Sequence, residues 1–328
     1  MNYSEFIEIA FRRAEELGIA DIFTKETNQV ETGYDRKVSE HIFKSFAVIP
    51  SYFDAVEEVD TTVDLFGHRL SFPIIPAPMS RLTNITDKPI VKLAQAAKTL
   101  GTLTTLGISS EEMLTEVADV GVPAIKIIKP YRDFEKMKSM VKAAQQNKMT
   151  AVGVDMDYSF GKKNGDQIFL AEAFSPKSTA QIRELVEMVE IPFVIKGSLS
   201  KKDALIAKEI GCSGLLITNH GNTTIDYAVQ PLEVLPKIRE AVGPEMKIII
   251  DGGIRRGSDI FKCLALGADA VCIGRMAWMG LIVDEVNGVI EIFNILNDEL
   301  KRYMCSTGAT RLKDINPTMV MKRDYILP

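Results

Sequence analysis

The sequence predicts an α/β protein built on a (β/α)8 TIM barrel with an N-terminal helical extension. Short, continuously apolar segments alternate with amphipathic helical patterns from about Phe72 to Ile282. Strands that are apolar throughout indicate a parallel sheet with both faces covered. Eight such strand–helix pairs favour a closed barrel over an open, doubly wound sheet. No linker rich in Pro, Gly or Ser interrupts the alternation, so we expect a single domain over residues 1–328.

The elements follow from the pattern in chain order. The predicted barrel strands are Ile74–Pro76, Leu103–Leu106, Ala124–Ile128, Ala151–Val154, Phe193–Ile195, Gly214–Ile217, Lys247–Ile250 and Ala270–Ile273. The predicted helices between and after them are Lys88–Leu100, Ser110–Val120, Asp133–Asn147, Thr179–Val189, Lys201–Ile210, Leu232–Val242, Ser258–Leu266 and a last one from about Val283.

Three regions surround or interrupt this repeat. Residues 1–71 are expected to hold N-terminal helices, the second over Glu40–Phe46, and then a hairpin with its turn at 66–69. Residues 72–282 form the barrel core, and residues 283–328 are expected to be C-terminal helices. The longest connection, Tyr158–Ser178, indicates either a lid or a disordered loop.

Composition excludes several classes of protein. The net charge is −5 and no basic block is present, so nucleic acid is not expected as a partner. The four cysteines have no ligand-like spacing, which indicates reduced thiols in an intracellular, cytoplasmic protein and no metal site. No apolar run approaches the length of about 18 residues that a membrane span needs.

The sixth predicted strand ends in a turn that carries chemistry. Thr218, Asn219, His220 and Gly221 follow the apolar run of Gly214–Ile217 directly. Parallel barrels present their reactive groups at such strand ends. A single histidine is often a structural residue bonded to the backbone, but polar groups at the neighbouring strand ends favour a functional role for His220.

Two further strand ends predict a phosphate site. The seventh strand runs into Asp251, Gly252, Gly253 and Arg255, and the eighth runs into Gly274 and Arg275. Glycines let the backbone approach an anion, amides at a helix N-terminus point at it, and arginine binds it. Phosphate sites recur after strands seven and eight of such barrels. The alternative is a tight turn without a ligand.

The fourth and fifth strand ends carry opposite charges. Lys196 ends the fifth strand and would either reach a structural acid or stabilise negative charge on a bound cofactor ring. Asp155 and Asp157 follow the fourth strand, and one of them could hold the His220 imidazole in the correct tautomer. A helix cap or a loop ion pair is the alternative for these carboxylates.

Together, IKGSLSKKDA, LLITNHGN and IIIDGGIRRGSDIFKCLALGADAVCIGR resemble the FMN-dependent α-hydroxy acid oxidase and dehydrogenase family. That family includes glycolate oxidase, lactate oxidase and flavocytochrome b2. The resemblance is dense from about Ile191 to Gly280 and continues more weakly through FPIIPAPM. It implies an oxidoreductase that binds FMN.

The resemblance also implies roles for individual residues. His220 matches the base, Asp157 the carboxylate that orients it, and Lys196 the cation beside flavin N1. The matching cofactor-binding positions, which include His220 and Lys196 again, are Ala77, Pro78, Met79, Lys126, Thr218, Asp251, Gly252, Gly253, Arg255, Gly274 and Arg275.

The substrate side departs from the family pattern. Asn222 and Thr223 stand where the family has Gly and a substrate-binding Arg, and Lys126-Ile127-Ile128 replaces Gln-Leu-Tyr. The loop after the fourth strand has Lys162 and Lys163 in the region where a second Arg is expected. Loss of an arginine–carboxylate pair is costly, so Lys126, Lys129, Lys162 and Lys163 are candidates for a replacement cation.

These observations predict an FMN-dependent oxidoreductase that oxidises a hydroxyl-bearing small molecule other than plain lactate or glycolate. Dioxygen, a quinone or a protein would be its electron acceptor, and the resemblance implies a homo-oligomer. Two alternatives stay open: a flavin-dependent isomerase similar to type 2 isopentenyl diphosphate isomerase, and a flavin-binding module that has lost its activity.

Overall fold

A computed structural model describes residues 1–20, 30–80 and 84–323. The predictions made for 21–29, 81–83 and 324–328 lie outside the described residues. Within the described ranges, no helix combines the length and the apolar character that crossing a membrane requires.

The described part of the chain contains fourteen strands and ten α-helices. The strands are β1 (Phe46–Val48), β2 (Val63–Leu65), β3 (His68–Leu70), β4 (Ile74–Pro76), β5 (Thr104–Leu106), β6 (Ala124–Ile128), β7 (Ala151–Asp155), β8 (Lys162–Asn164), β9 (Gln167–Phe169), β10 (Phe193–Lys196), β11 (Gly214–Ile217), β12 (Lys247–Asp251), β13 (Ala270–Ile273) and β14 (Val320–Lys322). The helices are α1 (Tyr3–Glu16), α2 (Tyr34–Ile42), α3 (Pro89–Leu100), α4 (Glu111–Val120), α5 (Phe134–Gln146), α6 (Thr179–Glu187), α7 (Lys201–Glu209), α8 (Pro231–Val242), α9 (Gly257–Ala265) and α10 (Arg275–Thr307).

Eight of these strands form one parallel sheet in the order β4-β13-β12-β11-β10-β7-β6-β5. The two end strands, β4 and β5, are joined by threonine hydroxyls. Thr102 donates to the carbonyl of Ile74 at 2.8 Å, and Thr105 donates to that of Pro76 at 2.6 Å. The sheet therefore curls into a barrel with its helices outside, which confirms the predicted (β/α)8 TIM barrel.

From the first to the eighth barrel strand, the elements lie within about two residues of their predicted positions because local signals mark their ends. The last helix was predicted from about Val283 but begins at Arg275, directly after Gly274 at the end of β13. Four helices begin after a side chain that accepts a hydrogen bond from a first-turn amide. These N-caps are Ser110, Asp133, Ser178 and Ser200. The barrel strands are buried along almost their whole length, as their continuous apolar runs predict.

The N-terminal part differs from the prediction. The second helix is Tyr34–Ile42 rather than Glu40–Phe46; a 3₁₀ turn over Phe43–Ser45 follows it, and Phe46 already belongs to β1. The partner of β1 is β14, which lies more than 250 residues away, so the pairing leaves no local pattern in the sequence. The predicted hairpin is present, with β2 and β3 joined through Phe66 and Gly67.

The C-terminal part was predicted to be helical, but it also contains a strand. Helix α10 is interrupted at Asp284 and Glu285, whose φ and ψ angles are not helical, close to the predicted boundary at 282–283. Strand β14 then pairs antiparallel with β1 and ties the C-terminal part to the N-terminal part. A single domain over residues 1–328 stays a prediction.

The long connection Tyr158–Ser178 is neither a simple lid nor an irregular loop. It contains the antiparallel hairpin of β8 and β9, which the sequence analysis did not predict. The hairpin is exposed along β9 and carries the lysines of the loop on β8. It stands beside the carboxyl end of β7.

Candidate active site at the carboxyl ends of the barrel strands

Three neighbouring strands end in alternating charges. Asp155 ends β7 and lies opposite Lys196 of β10 in the register of the sheet, while Lys129 follows the end of β6. The Lys196 ammonium donates to Asp155 Oδ1 at 2.8 Å, and that of Lys129 donates to Oδ2 at 2.5 Å. All three side chains are buried. One carboxylate therefore bridges two buried lysines at the mouth of the barrel.

The charges in this cluster shift one another's pKa values. Burial raises the pKa of Asp155, but Lys196, His220 and Lys129 outweigh burial and hold it well below its usual range. Burial alone would lower the pKa of Lys196, yet Asp155 and Asp157 raise it above normal. For Lys129, desolvation prevails over Asp155 and lowers the pKa. Lys196 is thus firmly held as a cation, whereas the charge of Lys129 is less fully compensated.

His220 lies in a turn with an unusual backbone. Its φ angle of 56° is in the left-handed region, which residues other than glycine seldom adopt. The His220 amide donates to Thr218 Oγ1 at 3.1 Å, and Thr223 Oγ1 donates to the His220 carbonyl at 2.7 Å. Asn219 donates to Asn222 and Gln230. The turn is therefore fixed by its own side chains, and Asn222 and Thr223 contribute to that support.

The His220 ring contacts different groups through its two nitrogens. Nδ1 lies 3.2 Å from Asp157 Oδ1 and 2.9 Å from the Lys196 ammonium, whereas Nε2 lies 3.3 Å from the Lys129 ammonium. An ammonium that can only donate lies beside each nitrogen, so the carboxylates distinguish the two. Asp157 Oδ1 at 3.2 Å and Asp155 Oδ1 at 3.5 Å both lie beside Nδ1, so a ring proton on Nδ1 has an acceptor and Nε2 is left to accept from Lys129. The structure thus favours the tautomer in which Nε2 carries the lone pair.

Tyr158 completes this side of the mouth. Its ring lies 4.6 Å from the His220 ring, between centroids, and the Lys129 ammonium lies 3.5 Å from its centroid. The aromatic face therefore supports both the imidazole and the ammonium.

A second group of predicted residues lies at the ends of β12 and β13. Asp251 ends β12 and accepts a hydrogen bond from Thr218 Oγ1 at 3.0 Å. Gly252 and Gly253 follow with φ angles of 120° and 77°, which other residues adopt only with strain. Arg255 comes next, and Gly274 and Arg275 open α10. At Gly252, Gly253 and Gly274 the backbone therefore carries no side chain of its own.

The start of α9 differs from what the glycine-rich segment predicted. The amides of Arg255 and Arg256 donate to Asp259 Oδ2 at 3.0 Å, and the Gly257 amide donates to Glu299 at 2.8 Å. These amides are satisfied by carboxylates, so an anion would meet the glycines before them and the beginning of α10 instead.

Lys126 lies apart from the ion cluster, against the segment that follows β4. Only 2% of its surface is exposed, and its ammonium donates to the Gly107 carbonyl and to Ser109 Oγ, both at 2.5 Å. Gly107 packs on that segment so closely that a Cβ would lie 3.2 Å from the carbonyl oxygens of Pro78 and Met79. Burial lowers the pKa of Lys126 to about 8.

The segment after β4 also meets the end of β13. The Ala77 amide donates to the Ile273 carbonyl at 3.0 Å. A Cβ on Gly274 would lie 3.8 Å from Ala77 and from the Met79 sulfur, which is ordinary contact. The predicted cofactor-binding residues from the first and last barrel strands are therefore adjacent.

Asp155, Asp157 and His220 have the spacing of a metal site. One potential ligand atom from each lies within 4.8 Å of the others. However, Asp155 already accepts from two ammonium groups, and His220 contacts both of them. A divalent cation would be repelled by these lysines, so the arrangement favours ion pairing over metal binding.

Three residues at this site were not among the residues that the sequence predicted to be catalytic. Asp155 was considered only as an alternative to Asp157, Lys129 only as one of four lysines, and Tyr158 not at all. A signal was present: the predicted strands three, four and five are neighbours in a barrel and end in Lys, Asp and Lys. Complementary charges at adjacent buried strand ends require one another.

Of the other loop lysines, Lys163 is already paired. Its ammonium contacts Glu31, and its amide donates to the Thr223 carbonyl at 3.0 Å. Lys163 therefore braces the β8–β9 hairpin against the His220 turn rather than facing the ring.

Comparison with known proteins agrees with this geometry. The family described as FMN-dependent dehydrogenase matches residues 23–170 and 161–322. A 2-hydroxyacid oxidase of Dictyostelium discoideum is 30% identical over 86% of this chain and 81% of its own length. Human 2-hydroxyacid oxidase 1 is 28% identical over 93% of this chain and 92% of its own length. A mandelate oxidase variant solved with a monooxide FMN adduct superposes with a TM-score of 0.84 at 25% identity, covering 96% of this chain and 99% of that one.

Proposed function

This chain belongs to the FMN-dependent dehydrogenase family, and on that premise we propose that it oxidises the carbinol carbon of a 2-hydroxy acid with His220 as the base. The observation that carries the proposal is the orientation of the imidazole. Nδ1 is held at 3.2 Å from Asp157 Oδ1, and the lone pair is left on Nε2. A substrate hydroxyl at Nε2 would find an acceptor for its proton.

The residues at the mouth fit FMN, the cofactor of the family. Glycines and arginines at the ends of β12 and β13 suit a phosphate, since the backbone there can approach closely and the arginines supply charge. Buried polar atoms at neighbouring strand ends, Ser198 Oγ and Asn219 Oδ1, have no hydrogen-bond partner among the described residues and could bond to a ring system. When bound, FMN supplies the two-electron acceptor.

The residues that would hold FMN are those predicted from the sequence. Lys196, Lys126 and Thr218 would face the ring system, together with the backbone of Ala77, Pro78 and Met79. Asp251, Gly252, Gly253, Arg255, Gly274 and Arg275 would hold its ribityl phosphate. A buried cation such as Lys196 stabilises negative charge that develops on a neighbouring ring.

Proton transfer would depend on three side chains. His220 Nε2 takes the hydroxyl proton, and the positive charge that develops on the imidazole is stabilised by Asp157 across the Nδ1–H bond. Lys196 donates to Asp155 at 2.8 Å, so Asp157 remains available to accept the hydrogen bond from Nδ1 of His220. The burial of both carboxylates strengthens these interactions, because little water competes for them.

The names of the relatives favour an oxidase over the isomerase and over an inactive flavin-binding module. We therefore propose dioxygen as the electron acceptor. A homo-oligomer remains a prediction from the resemblance, and a cytoplasmic location remains a prediction from the cysteines.

An anaerobic titration tests this function. Purified holoprotein is mixed with a panel of 2-hydroxy acids of increasing side-chain size while the visible FMN spectrum is recorded. We expect at least one acid to bleach the flavin, and the corresponding deoxy acid, which has no hydroxyl to oxidise, to leave it unchanged. Flavin that dithionite reduces but no 2-hydroxy acid reduces would contradict the proposal.

A further inference from the structure

Lys129 lies beside the nitrogen that would receive the substrate proton. Its ammonium is 3.3 Å from His220 Nε2, and the residue is only 7% exposed. In a 2-hydroxy acid the carboxylate is attached to the carbon that bears the hydroxyl. A hydroxyl directed at Nε2 therefore brings the carboxylate next to whatever group flanks that nitrogen. In this protein the flanking group is the Lys129 ammonium.

We propose that Lys129 binds the substrate carboxylate, in place of the arginines that the family pattern has and this sequence lacks. The inference rests on the proposed function and names one residue that selects the substrate. It concerns a residue outside the positions that match the family's motifs.

Three other lysines near the mouth contact other groups. Lys196 contacts the opposite edge of the imidazole, at 2.9 Å from Nδ1. Lys126 donates to Gly107 and Ser109, and Lys163 pairs with Glu31. Among these lysines, Lys129 is the one whose ammonium contacts Nε2.

The contacts of Lys129 do not fully balance its charge, so an anion could stabilise it further. An ammonium has three N–H donors. One is directed at Asp155 Oδ2 at 2.5 Å, a second contacts His220 Nε2, and the ring of Tyr158 lies beneath the nitrogen. Burial lowers the pKa of Lys129 despite Asp155, so a second counter-charge would stabilise its charged form.

The same contact couples recognition to catalysis. While Lys129 donates to Nε2, the lone pair of the base is occupied. A substrate carboxylate attracts that N–H more strongly than a neutral ring nitrogen does, because the bond is then charge-assisted on both sides. Binding of the acid therefore frees Nε2 at the moment when the hydroxyl arrives. A neutral analogue would leave the ammonium on the imidazole.

The experiment compares acids with their neutral amides. Flavin reduction is measured anaerobically for the wild-type holoprotein and Lys129→Met, using glycolate, lactate, mandelate and the larger acids of the panel, each with its primary amide. We expect the acid-over-amide ratio of the second-order rate constants for flavin reduction to fall about 10- to 100-fold in the variant, as loss of a charge-assisted bond predicts.

A binding measurement without turnover accompanies it. Oxalate, titrated against the oxidised holoprotein and followed by the change in the flavin spectrum, should bind about 10- to 100-fold more weakly to Lys129→Met. The matched control is Lys136→Met, on α5, whose exposed ammonium also lies over an aromatic ring, 4.1 Å from the Tyr131 centroid. It should change neither ratio nor affinity.

The outcomes separate the two proposals. If Lys129 were only a counter-ion of Asp155, its loss would slow acid and amide alike; an unchanged ratio with unchanged oxalate affinity overturns the inference and leaves the proposed function standing. Failure of every acid to reduce the wild type overturns both. If Lys129→Met does not hold FMN, Lys129→Gln, which keeps a donor for Asp155, serves for the same comparison.

Discussion

The two sides of the barrel mouth are formed by different types of residue. On the side of β6, β7, β10 and β11, four strand ends carry charged or titratable side chains that satisfy one another within about one hydrogen-bond length. On the side of β12, β13 and β4, one carboxylate, Asp251, ends β12, and glycines follow β12 and β13 with arginines behind them. We call these the charged side and the glycine side.

The two sides also differ in how far they follow the family pattern. The glycine side keeps the residues that match the family. The charged side keeps His220, Asp157 and Lys196, but it has Lys129 and Asp155 at its centre and lacks the expected arginines. Each strand of a (β/α)8 barrel contributes its own end and loop. Cofactor binding and substrate selection can therefore change separately, and the comparison predicts that mutations on the two sides have separable effects.

The largest expected effect comes from the base on the charged side. His220→Gln should slow anaerobic flavin reduction by the best 2-hydroxy acid about 100- to 10,000-fold, as removal of a general base does. The FMN content and reduction by dithionite should stay as in the wild type. Stopped-flow absorbance measures both reactions. His68→Gln is the control, because His68 is exposed on β3 and bonds Thr150 at 3.1 Å, away from the mouth. Equal slowing by the two substitutions would show that the effect is not specific to His220 and would contradict its role as the base.

The glycine side should give the opposite pattern. Arg275→Met should raise the dissociation constant for FMN about 10- to 100-fold, because a charged contact to the phosphate is lost. Once saturated with FMN, the variant should be reduced by substrate at the wild-type rate. Fluorescence titration of the FMN-free protein measures the affinity. Arg69→Met, which removes an exposed arginine 3.2 Å from Asp64, is the control and should bind FMN normally. If Arg275→Met binds FMN tightly but its flavin is reduced slowly by substrate, Arg275 contributes to substrate oxidation instead.

How well the sequence predicted these regions follows from how local their signals are. Apolar runs with polar or glycine ends located the barrel strands, and caps such as Ser110 and Asp133 located the helices. The β1–β14 pair and the β8–β9 hairpin have no comparable signal. Both pairs are short, and β1 and β14 lie more than 250 residues apart in the chain.

The site shows the same contrast. The glycine-rich segments and His220 are readable as motifs, and the structure brings them to one end of the barrel. The bridge from Lys129 through Asp155 to Lys196 depends on the register between strands, which sets Lys196 directly opposite Asp155. Side-chain direction decides the rest: among the candidates for the substrate cation, only their contacts distinguish Lys126, Lys129 and Lys163.

The smallest expected effect is on the free energy of unfolding rather than on a rate, and it compares the buried cations Lys126 and Lys196. Lys126 is a buried cation without the carboxylate bridge that Lys196 has, since its ammonium donates to Gly107 O and Ser109 Oγ. Burial lowers its pKa to about 8 in the folded protein, against 10.5 for an ordinary lysine. The unfolded chain therefore binds more protons between these values, and the contribution of Lys126 to the free energy of unfolding rises with pH across that window.

Lys126→Met removes this penalty and the slope with it. In FMN-free protein the variant should be more stable than the wild type by about 1–3 kcal/mol below pH 8, with the difference shrinking as the pH approaches 10.5. Urea unfolding at several pH values measures this. Lys136→Met, in which an exposed lysine is replaced, should show no such dependence on pH. A variant that is less stable at pH 7 would mean that the bonds to Gly107 and Ser109 outweigh the desolvation of the ammonium, so that Lys126 stabilises the fold as Lys196 does through Asp155.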